Sequence, residues 1–233
     1  MKIEWLHKSD NEKCILFMNG WACDAKPFQT LGSKDFDVLM CFDYREIIVP
    51  KQIERLFENY QEVHLVAWSF GVYVANMVYL PWKNLFASKI AINGSLQPID
   101  NLKGIPPAIF QGTIDGLNSQ TIEKFWLRMC GGKTEFNCFK RHLPKRDIED
   151  QKEELISFHE LVQNHFIDWN LFDTVLLGKE DRIFPFTNLE NAWSGQKNVI
   201  KKENAPHFCF YAWNLWDDLM KECKGEASKY QQR

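Results

Sequence analysis

Apolar runs of strand length alternate with segments of helical spacing over the first hundred residues. The runs are apolar at consecutive positions rather than at every second one, which predicts strands buried on both faces, as in parallel sheets. Between them, Gln52–Tyr60 and Gly71–Leu80 repeat apolar residues at helical spacing, and a further helix is predicted from about Lys26 to Leu31. This alternation predicts an α/β fold, with a mostly parallel central sheet and helices on both of its faces. The predicted strands are Lys2–His7, Lys13–Asn19, Phe36–Phe42, Glu62–Trp68 and Ala87–Asn93.

The alternation stops after residue 104 and resumes after residue 164. Between these positions we find only helical patterns, at Gln120–Met129 and Ile148–Gln163, joined by Gly131-Gly132 and a basic loop. We therefore predict one domain, with a core of residues 1–104 and 165–223 and an inserted helical lid of residues 105–164. After the lid we predict strands at Asp173–Leu177 and Asn198–Lys202, a closing helix at Tyr211–Cys223 and a frayed tail at Lys224–Arg233.

A serine lies where the strand Glu62–Trp68 gives way to a helix. The segment Ala67-Trp68-Ser69-Phe70-Gly71 matches the G-x-S-x-G nucleophile elbow, except that alanine replaces the first glycine. The elbow requires small residues two positions before and after the serine, because strand and helix pass close together there. This pattern predicts Ser69 as a nucleophile, and the alternative is a serine that caps the helix.

A nucleophilic serine needs a histidine base and a carboxylate that orients the histidine, and in this fold they follow in the order serine, acid, histidine. Asp181 ends Gly178-Lys179-Glu180-Asp181, directly after a predicted strand, and His207 precedes the last helix in Ala205-Pro206-His207. Taken singly, Asp181 could be a turn residue and His207 a loop residue without function. Their order and contexts together predict a Ser69–His207–Asp181 triad.

The oxyanion of the reaction needs two backbone donors. One is the N–H of Phe70, which follows the nucleophile. The other is expected in the loop after the strand Lys13–Asn19, where we assign it to Trp21 of Asn19-Gly20-Trp21. The simpler alternative is that Trp21 is a core aromatic residue.

Composition excludes several classes of function. The net charge of −3 argues against nucleic acid as a partner, and no apolar stretch is long enough to cross a membrane. The seven cysteines include no C-x-x-C pair and no zinc-like Cys/His spacing. The N-terminal segment lacks the apolar run of a signal peptide. We therefore expect a cytoplasmic, monomeric protein with free thiols and with neither metal nor cofactor.

The four motifs together resemble those of the small α/β-hydrolases of biotin synthesis, the pimeloyl-[acyl-carrier protein] methyl ester esterases, and of the BioG type in particular. The resemblance spans residues 1–223 and rests on Asn19-Gly20-Trp21, Ala67–Gly71, Gly178–Asp181 and Ala205–His207. It implies that Ser69, activated by His207 and Asp181, hydrolyses the methyl ester of a pimeloyl chain that an acyl carrier protein bears. The alternatives are a general short-chain carboxylesterase or acyl thioesterase, and a non-catalytic hydrolase fold that binds a ligand.

The predicted lid carries a basic segment. Residues 124–146 hold seven lysines and arginines and one acid, a local charge of +6 in a chain of net −3. Because acyl carrier proteins are acidic, this segment is a candidate docking surface, although most charged runs are simply solvated. The proposed docking residues are Arg128, Lys140, Arg141, Lys145 and Arg146. The residues proposed to line an acyl tunnel, with core packing as the alternative, are Phe125, Trp126 and Met129.

Overall fold

The computed structural model describes residues 1–225, so most of the tail that was predicted to fray lies outside the described residues. Within residues 1–225, no helix combines the length and the apolar character needed to cross a membrane.

Seven strands of the described chain form one sheet. Their order across the sheet is β1-β3-β2-β4-β5-β6-β7, and every neighbouring pair is parallel except β1 and β3. The predicted α/β-hydrolase fold class, with its mostly parallel sheet, is therefore confirmed. The strands are β1 (Lys2–His7), β2 (Lys13–Met18), β3 (Phe36–Phe42), β4 (Glu62–Trp68), β5 (Ser88–Ile92), β6 (Thr174–Gly178) and β7 (Val199–Lys202).

Burial follows position in the sheet. Every residue of β3 is buried, and so is every residue of the central strand β4 after Glu62, whereas β1 at the edge is mostly exposed or half-buried. The central strands are buried on both faces because helices cover both sides of a parallel sheet, which is why their sequences are continuously apolar.

Helices connect the strands. The helices of the described chain are α1 (Lys51–Glu54), α2 (Leu56–Asn59), α3 (Phe70–Tyr79), α4 (Pro107–Gly116), α5 (Ser119–Met129), α6 (Lys133–Phe139), α7 (Ile148–Asn164), α8 (Phe186–Ala192) and α9 (Trp216–Cys223).

The helical insertion, residues 105–164, lies between β5 and β6 and contains α4 to α7. The sequence predicted only α5 and α7. Helix α4 was missed because Gly112 and Gly116 weaken its pattern, although Pro107 at its first turn fits a helix start. The predicted basic loop was wrong in part, because α6 and a 3₁₀ turn at Lys140–His142 occupy its middle.

Three other predicted helices are shorter or broken in the structure. The predicted helix Gln52–Tyr60 is interrupted at Arg55, and the one near Lys26–Leu31 is only a 3₁₀ turn, Lys26–Phe28. The closing helix begins at Trp216 rather than Tyr211, because the chain first makes a 3₁₀ turn at Phe210–Ala212. None of these differences moves the carboxyl ends of the strands, where the candidate site lies.

Candidate active site

Ser69 sits in the turn between β4 and α3, with φ 57° and ψ −126°. A non-glycine residue in this region costs about 1–3 kcal/mol, so the surrounding structure must hold it there. The amide of Ser69 donates to the carbonyl of Ile92 at the end of the neighbouring strand β5. The strained turn at the centre of the sheet is the geometry expected of a nucleophile elbow.

Two glycines allow the chain to pass close to this turn. A Cβ on Gly71 would lie 2.3 Å from the carbonyl oxygen of Met18, and a Cβ on Gly20 would lie 2.9 Å from the Cβ of Ser69. Both distances are far below van der Waals contact. The loop after β2 and the start of α3 therefore touch through backbone atoms, which brings Trp21 and Ser69 to the same cavity.

His207 lies between Ser69 and Asp181. Its Nε2 is 3.0 Å from Ser69 Oγ, and its Nδ1 is 2.7 Å from Asp181 Oδ2. All three residues are buried, and the side chains of His207 and Asp181 are only 2% and 0% exposed. The structure thus brings together the three residues that the sequence predicted, at hydrogen-bonding distances suited to proton transfer from the serine.

The carboxylate of Asp181 is held from its other side. Its Oδ1 accepts hydrogen bonds from the backbone N–H groups of Ile183 and Phe184, at 2.8 and 2.9 Å. The ring of Phe184 also stacks on the imidazole of His207, with the two ring centroids 5.7 Å apart. Asp181 is therefore fixed by its own turn before it orients His207.

Two residues outside the predicted site hold the backbone of His207. The carbonyl of His207 accepts from Trp68 Nε1 at 2.9 Å and from Asn93 Nδ2 at 3.0 Å. Asn93, at φ 44°, also accepts from the Gly178 amide at 2.7 Å, so it joins the ends of β5 and β6 to the histidine loop. Sequence reasoning missed Asn93, and the only signal was an asparagine-glycine pair directly after a buried strand.

An apolar cavity of about 550 Å³, counting the space open to solvent, adjoins the triad. Its wall includes Phe125 and Met129, two of the predicted tunnel residues, and Arg128 lies on it with Arg182. The third predicted tunnel residue, Trp126, is not among the lining residues, because its buried ring packs against Phe139. The wall also includes Trp21, Phe70, Ile105, Ile109, Phe110, Thr113, Leu155 and Ile183, of which three lie on the unpredicted helix α4.

Arg146 does not belong to an exposed docking surface. Its side chain is only 6% exposed and pairs with Glu154 and Asp43, which are also buried. The prediction for Arg146 failed because the acids that neutralise it lie outside the basic segment. Lys140 is half exposed and pairs with Glu123, whereas Arg128, Arg141 and Lys145 are exposed.

The two amides predicted to bind the oxyanion, those of Trp21 and Phe70, belong to residues of the cavity wall. Neither amide donates a hydrogen bond to an acceptor within residues 1–225. Phe70 is the first residue of α3, so its N–H has no partner inside the helix.

A second serine–histidine–carboxylate set lies at the opposite end of β4. His64 Nδ1 is 2.8 Å from Ser88 Oγ, and its Nε2 is 3.1 Å from Glu62 Oε2. Burial lowers the pKa of His64 to about 4, which makes it a weak base at neutral pH. Ser88 is also the first residue of β5 rather than part of a strained turn after a strand, so this set is structural. In the described part of the chain, no group of three or more His, Cys, Asp or Glu side chains is placed to hold a metal ion.

Comparisons with known proteins place the chain in a family. The model of the family "Pimeloyl-ACP methyl esterase BioG" matches residues 1–219. The crystal structure of BioG from Haemophilus influenzae is 30% identical, superposes with a TM-score of 0.84, and aligns over 94% of this chain and 99% of that one. A lipase-esterase related protein from Clostridium acetobutylicum, 13% identical with a TM-score of 0.60 over 97% of this chain and 99% of that one, shares the fold.

A longer relative comes from Bacteroides fragilis. A protein named malonyl-[acyl-carrier protein] O-methyltransferase is 39% identical over 202 residues, which are 84% of this chain. The chain spans only 40% of the length of that relative. The match to the family model covers nearly the whole described chain, and the chain therefore belongs to the BioG family of pimeloyl-ACP methyl esterases.

Proposed function

We propose that this protein hydrolyses the methyl ester of a pimeloyl chain borne by an acyl carrier protein, releasing methanol and a free carboxylate. The observation that carries the proposal is the Ser69–His207–Asp181 hydrogen-bonded set at the wall of an apolar cavity, in a chain of this family. Because carrier-bound acyl chains are intermediates inside the cell, we place the reaction in the cytoplasm.

The first half of the reaction forms an acyl-enzyme. His207 Nε2 takes the proton of Ser69 as Oγ attacks the ester carbon, and Asp181 stabilises the imidazolium through Nδ1. The amides of Trp21 and Phe70 donate to the oxyanion. When the tetrahedral intermediate collapses, the C–O bond to the methoxy group breaks, and His207 returns the proton so that methanol leaves.

The second half uses water as the nucleophile. His207 removes a proton from the water as its oxygen attacks the acyl-enzyme, and the same proton then returns to Ser69 Oγ as the serine leaves. The product is a carboxylic acid that ionises on release.

We propose that the helical insertion covers the acyl chain and presents the carrier protein with a positive surface. The cavity wall carries Arg128 and Arg182, and no carboxylate within residues 1–225 forms an ion pair with either. Arg141 and Lys145 lie on the same insertion and are exposed. These four residues form the docking surface proposed here, which omits Arg146 because it is buried and Lys140 because Glu123 already neutralises it.

The test compares methyl pimeloyl-carrier protein with a p-nitrophenyl ester as substrates. Replacing Arg128, Arg141, Lys145 and Arg182 with glutamine should lower kcat/KM for the carrier-bound ester at least tenfold at low salt and leave the small ester nearly unchanged. The matched control replaces four exposed cations that do not line the cavity, Lys51, Arg55, Lys83 and Lys197. Equal losses in the two variants would refute the docking surface.

Catalysis itself is tested by labelling with a fluorophosphonate. Ser69→Ala should abolish labelling and hydrolysis, and Ser88→Ala, which removes the serine hydrogen-bonded to His64, should keep both. Labelling that survives Ser69→Ala would refute the assigned nucleophile. A wild-type enzyme that cleaves small esters or acyl thioesters but not methyl pimeloyl-carrier protein would favour a general carboxylesterase or thioesterase.

A further inference from the structure

A buried hydrogen bond joins the loop after β2 to helix α7. The indole Nε1 of Trp21 donates to the backbone carbonyl of Gln151 at 2.8 Å, across 130 positions of sequence. Trp21 is 4% exposed and Gln151 is 1% exposed, so water does not compete for this bond. The side chain of Trp21 is thus tied to the helical insertion, while Trp21 also lines the cavity beside Ser69.

A second connection runs from α7 to the residue before Gly20. Glu154 Oε1, less than one turn after Gln151, accepts from the Tyr44 amide at 2.8 Å, and the Tyr44 hydroxyl donates to the Asn19 carbonyl at 2.6 Å. The side chain of Asn19 then accepts from the Gly20 amide at 2.8 Å and donates to the Cys23 carbonyl at 3.2 Å. The Asn19–Gly20 peptide unit before Trp21 and the Cys23 carbonyl after it are therefore both held, so the loop that carries Trp21 is fixed at both ends.

The loop needs such restraint. Ala22, directly after Trp21, has φ 67°, a left-handed conformation that costs a residue with a Cβ about 1–3 kcal/mol. Without outside contacts, the backbone would lower its free energy by leaving this conformation. The Trp21 amide would then move too, because it lies in the same short loop, one peptide unit before the one that Ala22 shares with Trp21.

The contacts that restrain this loop include a buried ion pair. Arg146 and Glu154 form an ion pair with side chains 6% and 1% exposed, and Asp43 lies 3.4 Å from Arg146. Burial raises the pKa of Glu154, and Arg146 and the Tyr44 amide oppose this effect. Gln151 Nε2 donates to the Arg146 carbonyl at 2.9 Å, which joins the ion pair to the turn that receives the Trp21 indole. Such a pair rarely gains net stability, so a role in holding geometry accounts for it better.

We infer that the first two turns of α7 position the oxyanion donor. Gln151, through the Trp21 indole, and Glu154, through Tyr44, are positioning residues that hold the Trp21 amide toward the cavity. The helical insertion thereby completes the oxyanion hole as well as covering the acyl chain. This inference rests on the proposed esterase activity, and the name α7 anchor denotes Trp21, Tyr44, Arg146, Gln151 and Glu154.

The test uses Trp21→Phe, which keeps a ring and the backbone amide but removes the indole N–H. We expect kcat for a p-nitrophenyl ester to fall about tenfold to a hundredfold, less than the loss of a whole oxyanion donor, with KM within about twofold of the wild type. The affinity for a trifluoromethyl ketone, whose adduct with Ser69 carries an oxyanion, should fall by the same factor as kcat/KM. The matched control is Trp213→Phe, which removes an indole hydrogen bond of the same length to Glu222.

A second variant tests the α7 anchor at a residue that does not line the cavity. Glu154→Gln removes the charge that pairs with Arg146, and we expect a loss of kcat that is less than additive with Trp21→Phe, because both act on one donor. Unchanged kcat and ketone affinity in both variants would refute the α7 anchor, as would equal losses in Trp213→Phe. The small ester separates this result from carrier recognition, whereas a wild type without any esterase activity would refute the proposed function and the anchor together.

Discussion

The indole N–H of Trp68 donates a hydrogen bond of 2.9 Å to the backbone carbonyl of His207. The centroids of the indole and imidazole rings are also 5.2 Å apart. The residue that precedes the nucleophile in sequence thus holds the backbone of the base, 139 positions later. Trp68 is the first x of the G-x-S-x-G motif, and here its side chain helps to hold His207 beside Ser69.

Replacing Trp68 with phenylalanine should therefore slow catalysis. The ring remains, but the His207 carbonyl loses one of its two donors and keeps only that of Asn93. We expect about a tenfold lower kcat for a small ester, with little change in KM, as measured by steady-state kinetics. Trp216→Phe is the matched control, because Trp216 is fully buried and its indole has no partner within the described chain. Equal effects of the two substitutions would show that packing alone matters.

Asp181 should contribute to catalysis by fixing the tautomer and the orientation of His207. Asp181→Asn places an amide opposite Nδ1, and if its N–H₂ faces the ring, the imidazole is held in the tautomer that cannot accept the serine proton. We expect kcat to fall about 10⁴-fold at pH 7 with folding retained, as judged by circular dichroism. Glu180→Gln, at the exposed neighbouring carboxylate, should leave kcat within about twofold. If Glu180→Gln lowered kcat as much as Asp181→Asn does, the assignment of Asp181 as the acid of the triad would be contradicted.

The close contact at Gly71 predicts a large stability effect of one methyl group. In Gly71→Ala the new Cβ would lie 2.3 Å from the Met18 oxygen, so β2 or α3 must shift. We expect about 3 kcal/mol or more of lost unfolding free energy, measured by urea denaturation. Gly112→Ala, in an exposed part of α4 where the Cβ meets nothing within 4 Å, should instead add about 0.5–1 kcal/mol. Equal stabilities of the two variants would contradict the close approach.

Local patterns in the sequence were enough to predict the sheet and the triad. β4 was predicted with the bounds that the structure has, because its residues are apolar on both faces, and Ser69, Asp181 and His207 each follow a strand that local sequence defines. Their convergence follows from the rule that the carboxyl ends of parallel strands meet at one edge of the sheet.

The missed features depend on contacts between distant segments. Asn93 and Trp68 reach His207 across more than a hundred positions, and no local pattern records such a pairing. The burial of Arg146 depends on Glu154 and Asp43, which lie in other elements. Helix α4 was hidden because its glycines lower local helix propensity, while its contacts with α7 and the cavity stabilise it in the fold.

His64 should make the fold sensitive to acid. The side chain is 1% exposed, and burial lowers its pKa from 6.5 to about 4, although Glu62 opposes the shift. Because the unfolded chain binds a proton near pH 6.5 and the folded chain only near pH 4, the stability that neutral His64 provides is complete above pH 6.5 and is lost as the pH falls toward 4. Between pH 7.5 and 4.5 the expected loss from this residue is about 2–3 kcal/mol.

The measurement is the unfolding free energy of wild type and His64→Gln in urea at pH 7.5 and 4.5. Glutamine can still hydrogen-bond with Ser88 and Glu62 but does not titrate, so its stability should depend less on pH by about 2–3 kcal/mol, even if it is lower at pH 7.5. His165→Gln, at an exposed histidine, provides the matched control and should retain the wild-type dependence. If His64→Gln lost stability with acid as steeply as the wild type, another buried group would have to account for the acid sensitivity.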